Sequence, residues 1–273
     1  ADVALLARGS EALAARWIFP EISGIGLYTR ELIRGLLAED RATAYDLLFD
    51  RPEVEAREVP LTGAHAAPNA RIIRAPCGPF APQGQAQMPG LLRSLGSDVF
   101  HSPNYMIPFF AFPAGGTGRP RAVVTLHDLI PLIFPHYTPR ALKTRLLPVF
   151  RWVMRESARR AARIIVPSRS TADDVIRELR IPDSGRDRVV VVPEAAGPQF
   201  TPGPAGVAAG RTVLFVGRRD PYKNLPTLVR AFARVRAAVP DARLVVIGAA
   251  DPRYPEAEQA AREAGLGEAV EWR

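Results

Sequence analysis

Apolar positions along this chain switch between two spacings, and their succession predicts strands and helices in turn. Val213 to Val216 is a continuous apolar run that breaks at Gly217, and Leu225, Leu228, Val229, Phe232 and Val235 then recur on one helix face. That segment reads as strand, loop, helix. Further strands are predicted at Tyr45 to Phe49, Arg71 to Arg74, a short run ending near His101, Ala122 up to His127 and Asp128, Arg163 to Pro167, Val189 to Val192, Arg243 to Ile247, and from Val270 to Trp272. Helices are predicted where Ile25, Tyr28, Leu32, Leu36 and Leu37 share a face up to Ala38, and where Leu142, Leu146, Val149, Phe150 and Val153 do so between Pro139 and Ala162, with a kink or an interruption at Pro148. Two more follow, one from a capping-box start at Ser170 and Asp173 to Glu178, the other from Pro255 to Ala264. Residues 1–12 carry no assignable pattern, and Pro76 to Pro89, rich in proline, glycine and glutamine, reads as a mobile surface loop.

Strands that alternate with helices imply an α/β fold with parallel sheets. At 273 residues the chain exceeds the usual single-domain size. The pattern divides it into residues 1–193, a linker at 194–210 with repeated proline, glycine and alanine, and a domain at 211–273 holding two complete strand–helix units.

Composition narrows the function classes. One cysteine, Cys77, excludes an intrachain disulfide and fits a reducing compartment. It lies in a Pro-Cys-Gly turn and is a weak candidate for a nucleophile. No apolar stretch approaches the roughly twenty residues that span a bilayer, so the expectation is a soluble cytoplasmic protein. A net charge of +8 fits nucleic acid, an anionic membrane surface or phosphorylated substrates. The bases are scattered, and no zinc-ligand spacing or RNA-binding aromatic signature accompanies them, so nucleic acid is not expected. Arg151, Arg155 and Arg159 line the face opposite the apolar stripe of the helix at 139–162. The expectation is a core-facing stripe with hydrated arginines, and peripheral contact with the inner face of an anionic membrane stays open.

Candidate chemistry gathers on loops that follow strands. Arg218 and Lys223 sit between a strand's carboxyl end and a helix start, where open α/β sheets bind ligands, and two cations there suit a diphosphate leaving group. Gly217 lets backbone approach such a ligand, and Asn224 is the expected N-cap. A solvated loop with two surface bases explains the same residues. Gly24 and Gly26 open a helix, either to admit a ligand to its amides or to relieve crowding against a neighbouring loop. His127, delivered by a buried strand, is the main site candidate of the first half, with capping of the strand through Asp128 or a carbonyl as the alternative. His101 reads as a hydrogen-bonded structural histidine.

Gly24-Ile-Gly26 with Tyr28-Thr-Arg-Glu-Leu32, His127-Asp-Leu-Ile-Pro131, Val166-Pro-Ser168, Val192-Pro-Glu194 and Val216-Gly-Arg-Arg-Asp-Pro-Tyr-Lys-Asn224 together resemble the family-4 retaining glycosyltransferases, in particular bacterial mannosyltransferase-like members that build surface polysaccharides. The resemblance implies a GT-B fold of two Rossmann-like doubly wound domains, the second incomplete here. It implies a nucleotide-sugar donor, GDP-mannose by likeness, a saccharide or lipid-linked acceptor, and no metal or further cofactor. Arg218 and Lys223 would hold the donor diphosphate, Gly24 and Gly26 would bring amides to the same phosphates, and His127 would contact the donor sugar near the reacting carbon.

Two departures stand out. Ala14 and Ala15 occupy the place of the family's acidic strand end before Arg16, and the family's glutamate in a Gly-Phe-Gly context with a second glutamate eight positions on has no counterpart. The expectation drawn from the second is a C-terminal truncation, and a chain that binds donor weakly and turns over little. Competing readings are a Rossmann-type nucleotide-sugar oxidoreductase, weakened by the lack of a Gly-x-Gly-x-x-Gly after a strand, and a non-catalytic basic module for anionic lipid or nucleic acid.

Overall fold

The structure, a computed structural model, describes residues 9–137, 145–197, 199–202 and 210–273. It forms two compact units, Ala1–Leu129 with Pro148–Gly197, and Ile130–Leu147 with Pro198–Arg273. Both are α/β with parallel sheets.

Among the described residues, seven strands make the sheet of the first unit: β1 (Ser10–Leu13), β2 (Ala44–Phe49), β3 (Ala70–Arg74), β4 (Val99–Ser102), β5 (Arg121–Thr125), β6 (Ala161–Val166) and β7 (Val189–Val191), in spatial order β3-β2-β1-β4-β5-β6-β7. The chain moves outward from β1 through β3, then returns to β4 on the other side. That reversal is a topological switch point, where the loops leave β1 and β4 toward opposite faces and a crevice opens at their carboxyl ends. β1 is the strand that the apolar pattern leaves unassigned. Four residues beginning Ser-Glu carry too little signal alone, and pairing on both sides, Glu11 with Tyr45 and with Val99, is what makes them a strand.

Helices cover this sheet. Helix α1 (Gly24–Glu39) starts at Ser23, whose side chain accepts from the Gly26 amide, and buries Ile33 and Leu37 against β1 and β2. Helix α2 (Pro52–Thr62) begins with proline and carries Glu53 and Glu55 in its first turn, where the helix dipole favours acids. Helix α3 (Gly84–Leu95) corrects the expected loop at 76–89. Pro89 forfeits one helical hydrogen bond, but Met88 and Leu92, one turn apart, are fully buried, and Gln85 bonds the Ile107 carbonyl and the Phe109 amide. Tertiary burial outweighs local propensity there.

A single turn, α4 (Ile130–Ile133), precedes helix α5 (Leu147–Arg160). Part of the helix expected over 139–162 lies outside the described residues, and at its other end Ala161 and Ala162 belong to β6. The expected apolar face is also corrected. Phe150, Met154, Ser157 and Ala158 are the buried positions of α5, whereas Val149 and Trp152 are exposed. Helix α6 (Arg169–Leu179) starts at Ser168, two residues before the expected capping box, with the Ser168 hydroxyl accepting from the Thr171 amide.

The second unit has a three-stranded sheet in the order β10-β9-β8, with β8 at Thr212–Val216, β9 at Arg243–Ile247 and β10 at Val270–Trp272. Helices α7 (Leu225–Ala238) and α8 (Glu256–Glu263) bury Leu225, Val229, Phe232, Ala257 and Ala260 on one of its faces, against Leu244 and Val246. On β8, Leu214 and Val216 alternate with the half-buried Val213 and Phe215 and remain exposed.

Candidate active site

In the first unit the candidate residues collect at the carboxyl edge of the sheet. The loop from β1 to α1 is pinned from the side: Arg57 on α2 donates to the carbonyls of Phe19 and Pro20 at 2.9 and 2.6 Å, and its Nε donates to Glu58. Arg30 of α1 reaches the same carboxylate at 2.6 and 2.8 Å. Burial of Glu58 pushes its pKa up, but the hydrogen bonds from Arg30 and Arg57 outweigh that cost and hold the carboxyl below its ordinary range. The start of α1 is thereby fixed over the sheet edge.

At that start the two glycines differ. A Cβ on Gly24 would meet nothing within 4 Å, while one on Gly26 would meet the Ile22 side chain at 3.2 Å and backbone of Ile18 at 3.6 Å. Crowding therefore accounts for Gly26 and not for Gly24. The first amides of α1 have no intrahelical acceptors, and that of Gly26 is taken by the Ser23 side chain at 3.3 Å.

His127 follows β5. Its Nε2 lies 3.0 Å from the Pro103 carbonyl and its Nδ1 2.9 Å from Glu194, in the segment after β7. Both ring nitrogens therefore face oxygen atoms of the protein. Of the two structural partners expected for it, a nearby carbonyl is realised in Pro103, and Asp128 is not the group it bonds. The Tyr28 ring of α1 meets the imidazole edge-on, with centroids 4.7 Å apart at 84°. The structure thus brings His127, Tyr28 and Glu194 together beside the α1 terminus. The sequence places Glu194 in a motif without showing its role; a strand-end carboxylate in Val-Pro-Glu is the signal that could have found it.

In the second unit Gly217, Arg218 and Lys223 occupy the loop after β8. The Gly217 amide donates to the Ile247 carbonyl at 2.9 Å, with φ at 149°, a conformation that favours glycine. Gly248 is packed against the same turn, for a Cβ there would fall 2.0 Å from the Gly217 carbonyl oxygen. Two glycines let the ends of β8 and β9 meet. Arg218 is exposed and gripped by Asp220, its Nε 3.1 Å from one carboxylate oxygen and an Nη 3.3 Å from the other. Its neighbour Arg219 turns inward, 2.5 Å from Glu258 and over the Trp272 ring at 4.7 Å. Adjacent arginines thus divide between anchoring the loop and presenting charge. The sequence pattern singles out neither Asp220 nor Arg219, though both stand in the Gly-Arg-Arg-Asp run.

Lys223 ends a short turn, its ammonium 5.2 Å from the Tyr222 ring. The role expected of Asn224 is corrected. It occupies the N-cap position, but in a left-handed conformation at φ 55°, and its side-chain oxygen accepts from the Thr227 hydroxyl rather than from a backbone amide. Pro226 at the helix start supplies no N–H, so the anion-binding capacity of this loop rests on its side chains more than on the α7 terminus.

Residues 22–200, more than half of the chain, match the model of the family described as Glycosyltransferase Family 4. The chain belongs to that family. Residues 207–273 match a second model, Glycosyl transferases group 1. Among solved structures, an O-GlcNAc transferase mutant of Thermobaculum terrenum aligns over 100% of this chain and 46% of its own, at 19% identity and a TM-score of 0.52. The apo form of the lipopolysaccharide outer core galactosyltransferase WaaB aligns over 97% of this chain and 67% of its own, at 11% identity and a TM-score of 0.53. The chain therefore spans about half the length of the first of these. The likeness establishes the α/β architecture of the GT-B glycosyltransferases for this family member. No curated protein matches it. Among the described residues, no helix is long and apolar enough to cross a membrane.

Proposed function

We propose that this family-4 member transfers a sugar, mannose from GDP-mannose by likeness, to a saccharide or lipid-linked acceptor, with retention of configuration and without a metal. Its setting would be cell-surface polysaccharide synthesis, at the inner face of the membrane. In the reaction the acceptor oxygen bonds the anomeric carbon as the bond from that carbon to the diphosphate breaks, and the acceptor's proton leaves with the nucleoside diphosphate. Arg218 and Lys223 would neutralise the charge that develops on the leaving group. The Gly217 turn would let the phosphates approach the backbone, and the amide at Gly24 would add a donor; that at Gly26 would do so only on leaving Ser23. His127, held by Glu194, Pro103 and Tyr28, would contact the sugar near the reacting carbon through its ring.

The observation that carries this reading is the loop after β8. It offers an exposed guanidinium oriented by a largely buried aspartate, at the sheet edge where α/β folds bind nucleotides, within a segment that matches a glycosyltransferase model. Titration with GDP-mannose, UDP-glucose, NAD and anionic vesicles tests it. The expected result is preference for a sugar nucleotide, weakened about tenfold or more in Lys223→Ala, the usual effect of losing a charge-assisted contact. Preference for NAD, or sugar-nucleotide binding indifferent to that substitution, overturns it.

A further inference from the structure

Behind Tyr28 runs a buried polar chain that the donor reading does not use. Glu11 on β1 lies 3.2 Å from Nδ1 of His101 on β4. Nε2 of His101 is 3.2 Å from the Thr125 hydroxyl on β5, and that hydroxyl is 3.4 Å from the phenolic oxygen of Tyr28. Glu11, His101 and Thr125 are 8, 4 and 2% exposed. Three adjacent strands thus place polar side chains in line through the sheet, and groups so deeply buried are retained against a desolvation cost of their own.

The donors and acceptors give the chain a direction. A carboxylate only accepts, so Nδ1–H of His101 donates to Glu11. With the proton on Nδ1, Nε2 accepts from the Thr125 hydroxyl, whose oxygen is then free to accept from the Tyr28 O–H. Each link settles the next, and the last fixes a ring that lies edge-on against His127. Burial raises the pKa of Tyr28, the Thr125 hydroxyl opposes the shift, and the charge of Glu194 adds to it, so the phenol keeps the proton the chain requires.

We infer that Glu11, His101 and Thr125 are positioning residues, a rear support that holds Tyr28 in a single orientation and through it the imidazole of His127. The consequence for catalysis rests on the sugar-transfer reading; the consequence for the imidazole does not. The chain has four histidines, so each ring can be followed by long-range proton–nitrogen NMR, with the exposed His65 and His136 as controls. Thr125→Val keeps the shape and removes the hydroxyl, and Thr125→Ser restores it.

The expected spectrum of the wild type has His101 as the Nδ1–H tautomer. In Thr125→Val the His127 signals shift or broaden while those of His65 and His136 stay, and in Thr125→Ser they return. Sugar-nucleotide binding is expected to hold within about twofold in Thr125→Val, while transfer falls about tenfold through kcat, as for a misplaced group that acts in the transition state. An Nε2–H tautomer at His101, or His127 signals identical in wild type and Thr125→Val, overturns the support. Absence of sugar-nucleotide binding by the wild type would instead overturn the transferase reading and leave the spectroscopic result to decide this one.

Discussion

The two sheets are made of similar sequence and treated differently by their surroundings. In the first unit β4 reads Val-Phe-His-Ser and every residue is buried, including the two polar ones, because helices cover the sheet and both polar groups have partners, His101 on the neighbouring strands and Ser102 at Trp17 and the Met106 carbonyl. In the second unit β8 reads Thr-Val-Leu-Phe-Val, a more apolar run, yet Leu214 and Val216 are 59 and 68% exposed. Apolar content alone therefore does not report burial. What differs is cover: α7 and α8 close one face of the small sheet, and in the described residues nothing closes the other.

Substitutions can sharpen that contrast. Phe100→Ala empties a fully buried site stacked on Phe112, with centroids 5.5 Å apart, and is expected to cost about 3–5 kcal/mol in urea unfolding of the first unit. Gly248→Ala is the largest expected lesion in the second unit, about 2–3 kcal/mol, because its methyl would collide with the Gly217 carbonyl. It should also weaken sugar-nucleotide binding by moving the Arg218 loop, which a titration checks alongside the melt.

Glu58→Gln should cost about 2 kcal/mol, since Arg30 and Arg57 lose a buried partner while keeping some access to water. The sign of its pH dependence follows from the lowered pKa of Glu58. A carboxylate held down in the folded state stabilises above its unfolded pKa, and that contribution is lost as pH falls through the folded value. The gap between wild type and Glu58→Gln should thus be full at pH 7 and close in acid, below the ordinary glutamate range; a gap constant down to strongly acid pH would contradict it. Leu214→Ser, at the other extreme, should change stability by less than about 0.5 kcal/mol. A much larger loss would mean that the β8 face is covered in solution.

The same contrast explains which elements are legible in the amino-acid sequence. β9 falls where its apolar run does, at Arg243–Ile247, because runs bounded by turns define such strands, and β10 begins at Val270 as expected. β1 is hidden because long-range pairing, not local pattern, makes it a strand. Helix α3 is hidden because Pro89 and its glycine and glutamine neighbours argue locally for a loop, and the burial of Met88 and Leu92 is not local information. At the site, motif and charge point to Arg218, Lys223 and His127. The carboxylates that orient two of these, Asp220 and Glu194, need geometry, since neither spacing nor composition says which acid faces which base.

The place of β1 in the order of the sheet carries a consequence for how the polypeptide is made. It leaves the ribosome before the other described strands of its sheet, yet it is one with partners on both sides, β2 and β4. His101, which answers Glu11 from β4, lies 90 positions further along. Until that much has been synthesised, one edge of β1 has no native neighbour, and such distant parallel pairing is slow to form and exposed to association meanwhile. The nascent protein must therefore wait, with its future centre unfinished, until β4 emerges.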